Sequence, residues 1–95
     1  MRKIFTYKGY RKDFKLLEKR ISSTGWDLDK INKAVSHLQN SDILPRELLD
    51  HALVGDYKDF REIHIHGDLV IVYKRDDKEL HLRRIGRHQD LFKGY

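Results

Sequence analysis

The sequence predicts an α+β domain of order β-α-α-β-β-β, a mainly antiparallel four-stranded sheet with a helical hairpin packed on one face. Two observations carry this. Apolar residues recur at Tyr10, Phe14, Leu17 and Ile21, an i, i+4, i+7, i+11 helical stripe, and again at Leu28, Ile31, Val35 and Leu38. From Phe60 the period drops to two, and Gly67-Asp68 and Asp76-Asp77-Lys78 divide the remainder into three strand-like runs. Ninety-five residues, 39% of them hydrophobic, allow one core, so residues 1–95 form a single domain.

In chain order, Lys3 to Tyr7 alternates β-branched and aromatic types and reads as the first strand. Gly9 breaks it. The first helix follows, with Arg11, Lys12, Lys15, Lys19 and Arg20 beside or opposite its apolar stripe, and Ser22-Ser23-Thr24-Gly25 ends it. Asp27 is a plausible N-cap for the second helix, with Asp29 in its positive first turn. Two amphipathic helices joined by a short turn must cover something flat. Asn40 to Lys58 is a long connection holding Pro45, with a short helical turn expected at Arg46 to Leu49. In the strand after Phe60, Ile63 and Ile65 point one way and Glu62, His64 and His66 the other. Leu69 to Tyr73 is apolar on both faces, as a central strand should be. Leu80 and Leu82 alternate with His81 and Arg83 in a last strand that stops at Gly86.

Composition narrows the function classes. No cysteine is present, which removes disulfides and thiolate chemistry. There is no apolar run long enough for a membrane span and no signal-peptide core, so a cytoplasmic location is expected without a membrane partner. Twenty Lys and Arg against fifteen Asp and Glu give a net charge of +5, which biases encounters toward polyanions such as nucleic acid.

Five of the six histidines fall between Asp50 and Phe92. His64 faces away from the core, Asp68 lies in the next turn, His88 follows the last strand, and His51 lies in the loop before the meander. Imidazoles with a carboxylate, and no serine or cysteine nucleophile, suit general acid–base chemistry, because imidazole titrates near pH 6.5. RNA cleavage needs that pair. One group takes the proton from a ribose 2′-OH, another protonates the leaving 5′-oxygen, and cations such as Arg83, Arg84 and Arg87 stabilise the phosphorane. His64 and His66, two apart on a strand, could instead share a metal, but no ordinary zinc spacing accompanies them, so no metal or cofactor is expected. His81, amid charged neighbours, reads as a solvated surface residue. Phe92 reads either as a plug for a core edge or as a platform for a stacked base.

Taken together, Asp50-His51-Ala52-Leu53-x-Gly55, Tyr57-Lys58-x-Phe60-Arg61-Glu62-x-His64-Ile65, Asp68-Leu69 with Tyr73-Lys74, and Arg84-x-Gly86-x-His88-x-x-Leu91-Phe92 resemble the YafQ-like branch of the RelE/ParE toxin superfamily. The resemblance covers nearly the whole chain. It implies a toxin of a type II toxin–antitoxin pair, a metal-independent mRNA endonuclease that cuts codons in the A site of the 70S ribosome. It carries catalytic roles onto His51, His64, Asp68 and His88: Asp68 or His51 as base, His88 as acid, His64 and Arg84 around the phosphate, and Phe92 holding substrate. It places the basic flank of Arg11, Lys12, Lys15 and Lys19 against 16S ribosomal RNA, and implies an acidic, DinJ-like antitoxin partner. The chain departs from the family pattern at Ala52, where proline is frequent, and at His66-Gly67, where Glu-Pro or Lys-Pro is frequent. His66 therefore adds an imidazole of undetermined role. Two other classes fit the fold or the charge: a ParE-like gyrase inhibitor, which has no need of the histidine set, and a non-catalytic basic RNA-binding module.

Overall fold

The computed structural model describes residues 1–92. Strand β1 (Lys3–Thr6) leads into helix α1 (Lys8–Thr24), which ends where Gly25 takes a left-handed φ of 76°. Helix α2 (Leu28–Asn40) begins at Asp27, whose side chain accepts the Asp29 N–H at 2.8 Å. A 3₁₀ turn at Arg46–Leu48, the two-residue strand β2 (His51–Ala52) and a second 3₁₀ turn at Gly55–Tyr57 occupy the long connection. Strands β3 (Arg61–His66), β4 (Leu69–Arg75) and β5 (Glu79–Arg87) form the meander, and a single helical turn, α3 (His88–Leu91), closes the described chain.

The class and the helical hairpin stand as the sequence predicts. The sheet differs: it has five strands in the order β1-β5-β4-β3-β2, with β1 parallel to β5 and the other pairs antiparallel. The extra strand is β2, too short to show a period in the sequence. Ile63, Leu69, Ile71, Tyr73, Leu80, Leu82 and Ile85 face the hairpin and pack against Tyr10, Leu17, Ile31, Ala34 and Leu38. Leu28 lies at the margin of the hairpin, 37% exposed, and Ala34 takes the buried place in its stripe.

Helix α2 ends without glycine, and two arginines serve its last carbonyls. Arg2, 7% exposed, donates to the backbone oxygens of Gln39 and Asp76 and pairs with Asp42 at 2.7 Å. Arg75 donates to the Leu38 and Ser41 oxygens at 2.8 and 2.5 Å. Guanidinium groups there complement the negative end of the helix dipole and tie it to β1 and β4.

On the opposite face, Val70 and Val72 of β4 pack with Tyr57 and Leu91, bordered by Leu53, Phe60 and Phe92. This second cluster is small. It gives the candidate site a dry floor without roofing it.

Candidate active site

The site begins with Asp50. Its carboxylate accepts two N–H groups of Arg61, the shorter at 2.8 Å, and the hydroxyl of Tyr73. Partial burial acts to raise its pKa, but the bonds from Arg61 and Tyr73 outweigh that and hold it below the usual carboxylate value. For Tyr73, burial and then the hydrogen bond to Asp50 push the pKa above the ordinary phenol value. This network pins the start of β2 to β3 and β4, and so fixes the next residue, His51. The register confirms the placement, because His51 pairs with Glu62 and Ala52 with Arg61.

Glu62 is the centre of the site, and sequence reasoning missed it. Alternation placed it correctly on the histidine face but gave it no role. In the fold it is fully buried. Three imidazole Nε2 atoms surround its carboxylate: His51 at 2.9 Å and His64 at 3.3 Å from Oε2, and His88 at 3.4 Å from Oε1. Among the described residues neither oxygen has a hydrogen bond of good angle, so these are close approaches rather than aligned donor contacts. The signal available in the sequence was a carboxylate two residues before a motif histidine, sharing its face of the strand.

The imidazoles form a row, with ring centroids 5.9 Å apart for His51 and His64 and 6.3 Å for His64 and His88. The rim histidines are half open to solvent, 49% for the His51 side chain and 51% for His88, while His64 between them is 27% exposed. His51 Nδ1 lies 2.8 Å from the Leu49 carbonyl oxygen. A carbonyl only accepts, so that nitrogen carries a hydrogen and Nε2 is the ring nitrogen left to face Glu62. His88 opens α3, and its backbone N–H donates to the Asp68 carbonyl oxygen at 2.8 Å. Asp68 is thus tied to the histidine row through its backbone, with its residue exposed in the turn after Gly67, whose φ is 57°.

Phe92 stands 4.6 Å from His88 and meets Tyr57 edge-on at 5.6 Å. It plugs the small cluster and also adjoins the row. Arg83 lies over the Tyr7 and Tyr57 rings. Arg84 turns to the edge of the sheet, where Nε and Nη2 donate to Asp13 at 2.6 and 3.0 Å and Nη1 to the Tyr57 hydroxyl at 3.3 Å. The Asp13 bonds raise its pKa further above the usual guanidinium value. Three of its five N–H groups are thereby committed. Arg87 donates to Asp90 at 3.2 Å and is half-buried. His81 is held rather than solvated: its Nε2 lies 2.9 Å from Glu79 Oε1 and its ring stacks on Phe5. His66 is exposed at the end of β3, beyond a bulge that breaks the register after His64. Arg11, Lys12, Lys15 and Lys19 are exposed along α1, Arg11 folding back to Thr6.

The donor set would also admit a cation. Among the described residues, ligand atoms of His51, Glu62 and His64 lie within 4.8 Å of one another. A structural zinc site takes four ligands, whereas three with an open position are the catalytic pattern.

Comparison with known proteins identifies the family. Residues 2–93 match the family described as a bacterial toxin of type II toxin-antitoxin system, YafQ. A similar curated relative is the mRNA interferase toxin YafQ of Escherichia coli K12, 38% identical over 84 residues that cover 87% of each chain. Among solved structures, the chain is similar to that of the E. coli DinJ-YafQ toxin-antitoxin complex, with a TM-score of 0.82, 36% identity and coverage of 96% of this chain and 97% of that one. It is equally similar to a metal-bound toxin from Helicobacter pylori, with a TM-score of 0.82, 39% identity and coverage of 97% and 100%. The match over residues 2–93, with a fold shared over nearly the whole chain with these toxins, places the chain in the YafQ family of type II toxin–antitoxin toxins.

Proposed function

We propose that the chain is an mRNA interferase, a ribosome-dependent endonuclease that cuts mRNA in the A site and so arrests translation. The observation that carries this is the row of imidazoles drawn onto the buried Glu62 on an open face of the sheet. His51 takes the proton of a ribose 2′-OH at Nε2, acting from the form in which that nitrogen is bare, since Nδ1 is occupied by the Leu49 carbonyl. The charge that His51 gains is met by Glu62, 2.9 Å away. The 2′-oxygen attacks the adjacent phosphorus, and His88, the imidazole beside Phe92, delivers its proton to the leaving 5′-oxygen. One bond forms and one breaks, leaving a 2′,3′-cyclic phosphate and a 5′-hydroxyl. Asp68, exposed beside His88, is the alternative base. His64 and the two uncommitted N–H groups of Arg84 stabilise the phosphorane, with Arg83 and Arg87 adding positive charge, and Phe92 holds the substrate base.

Glu62 acts as a positioning residue. It is too buried to touch RNA, but it aligns three rings and compensates their charge. No resident metal is required, because a cation held by His51, Glu62 and His64 would consume the lone pairs that proton transfer uses. The exposed lysines and arginine of α1 face ribosomal RNA. An acidic antitoxin segment of the DinJ kind covers the basic active face, folding as it binds. The E. coli relative seen in complex with DinJ supports that partner.

The test is expression in cells with mRNA ends mapped by primer extension. In-frame cuts bearing 5′-hydroxyl ends are expected, and on programmed ribosomes they should persist when transition metals alone are chelated and Mg²⁺ is kept. His88→Ala should lower the rate about 10²–10⁴-fold. Growth arrest with intact mRNA would overturn the reading and direct attention to gyrase.

A further inference from the structure

Phe5, Tyr7 and His81 belong to neither hydrophobic cluster, yet each is half-buried. They are held by one another. Phe5 of β1 is the register partner of His81 of β5, and the two rings stack at 5.0 Å with 13° between planes. Tyr7 meets His81 at 6.4 Å and Phe60 at 5.9 Å, both edge-on. Phe60 in turn meets Tyr57 at 6.3 Å, and Tyr57 meets Phe92 beside His88. Ring therefore follows ring from the edge strand to the imidazole row.

Cations accompany the rings. Lys3 Nζ lies 5.4 Å from the Phe5 centroid, Lys74 Nζ 5.3 Å from that of Phe60, and the Arg83 guanidinium 5.2 and 5.5 Å from those of Tyr7 and Tyr57. Two tyrosines hold one guanidinium, a clamp that presents N–H groups to a phosphate. Aromatic faces interleaved with cations are what a single strand of nucleic acid binds: bases stack and phosphates meet the charges. Asp59, Asp76 and Glu79 border the recess beside Lys74 and Arg75, so a polyanion must keep its charges away from this end. RNA can bring base faces there and keep its phosphates toward Lys3 and Arg83.

We propose that Phe5, His81, Tyr7 and Phe60, with Arg83 as phosphate clamp, form a stacking track for the single-stranded RNA that flanks the cleaved bond. The track takes its ligand class from the endonuclease reading, and its geometry extends that site across the sheet to β1.

The test uses His88→Ala protein, so that RNA stays uncut, and fluorescein-labelled oligouridylates of three and twelve nucleotides at low salt. The longer RNA should bind more tightly. Phe5→Leu and Tyr7→Leu, which keep apolar bulk but remove the ring, should each weaken the twelve-mer about 5- to 100-fold and leave the three-mer unchanged. Thermal melting confirms that both variants fold. Twelve-mer affinity equal to that of the three-mer, or unaffected by both substitutions, would overturn the track. So would displacement of polyglutamate, but not RNA, by loss of Phe5; that result would assign the face to an acidic protein segment. Cutting by the otherwise native chain is scored separately. Ring-dependent binding without cutting removes the endonuclease reading alone, whereas cutting without ring dependence removes the track alone.

Discussion

Glu62 and Ile63 are neighbours on β3, both fully buried, and they face opposite sides of the same sheet. Ile63 joins the large cluster under the helical hairpin, where every partner is apolar. Glu62 sits beneath three imidazoles, with a few apolar residues sealing it from water. Burial thus means opposite things one residue apart. On the helix side it supplies stability. On the open side it removes a carboxylate from solvent so that its charge acts on the histidines, at a cost in desolvation.

The sharpest way to break that comparison is to remove the charge. Glu62→Leu should abolish detectable cutting, a loss of about 10²-fold or more, because the rings lose both alignment and compensation. Stability should hold or rise by about 1–4 kcal/mol in urea melts, as when other buried ionic groups are replaced by apolar residues of similar volume. A variant that is both active and less stable would show that Glu62 is structural. Ile63→Ala, the adjacent change, should do the reverse. It leaves a cavity costing about 2–5 kcal/mol, with the cutting rate per folded molecule kept within about threefold.

The two faces also differ in how legible they were. The hairpin side was readable because period 3.6 in the helices and period 2 in the strands report burial against an apolar partner. Tyr10, Leu17, Ile31, Leu38 and Ile63 followed directly. The open side was legible in its residues and not in its assembly. His51, His64 and His88 could be named, but what gathers them is a two-residue strand fixed by Asp50, a long-range network with no local period. Glu62 escaped because alternation gives the face and not the depth. The parallel pairing of β1 with β5 escaped for a related reason, since it joins residues more than seventy positions apart. His81 looked solvated because its partners Phe5 and Tyr7 come from that same pairing.

Asp50 offers a smaller and pH-dependent handle on the same assembly. Its folded pKa is depressed, so the unfolded chain binds the proton more readily. The contribution is therefore full above the unfolded value of about 3.9 and is lost as pH falls through the lower folded value. Asp50→Asn should cost about 1.5–3 kcal/mol at pH 7, the range for hydrogen bonds to a charged group, and the difference should shrink below about pH 4. It should also slow cutting, because His51 loses its anchor. A stability difference constant from pH 7 to pH 3 would exclude this role.

Arg84 is where the faces meet, for it holds Asp13 of α1 with one side of its guanidinium and Tyr57 of the ring face with the other. Helix α1 can approach that closely only because residue 9 is glycine: a Cβ there would lie 2.8 Å from Arg84 Cδ and 3.1 Å from Arg83 Nη1. Alanine favours the helix by up to about 1 kcal/mol, yet here it must displace a side chain pinned at both ends. Gly9→Ala should therefore destabilise by about 1 kcal/mol rather than stabilise, and weaken RNA binding by shifting Arg83. The sign should invert in an Arg84→Ala background, where the obstruction is gone and the helix preference alone remains, a gain of about 0.4–1 kcal/mol. A double-mutant cycle reads this as a coupling between positions 9 and 84 of about 1.4–2 kcal/mol. Additive effects would mean that Arg84 moves freely, and that the link between the helix-covered face and the RNA face lies elsewhere.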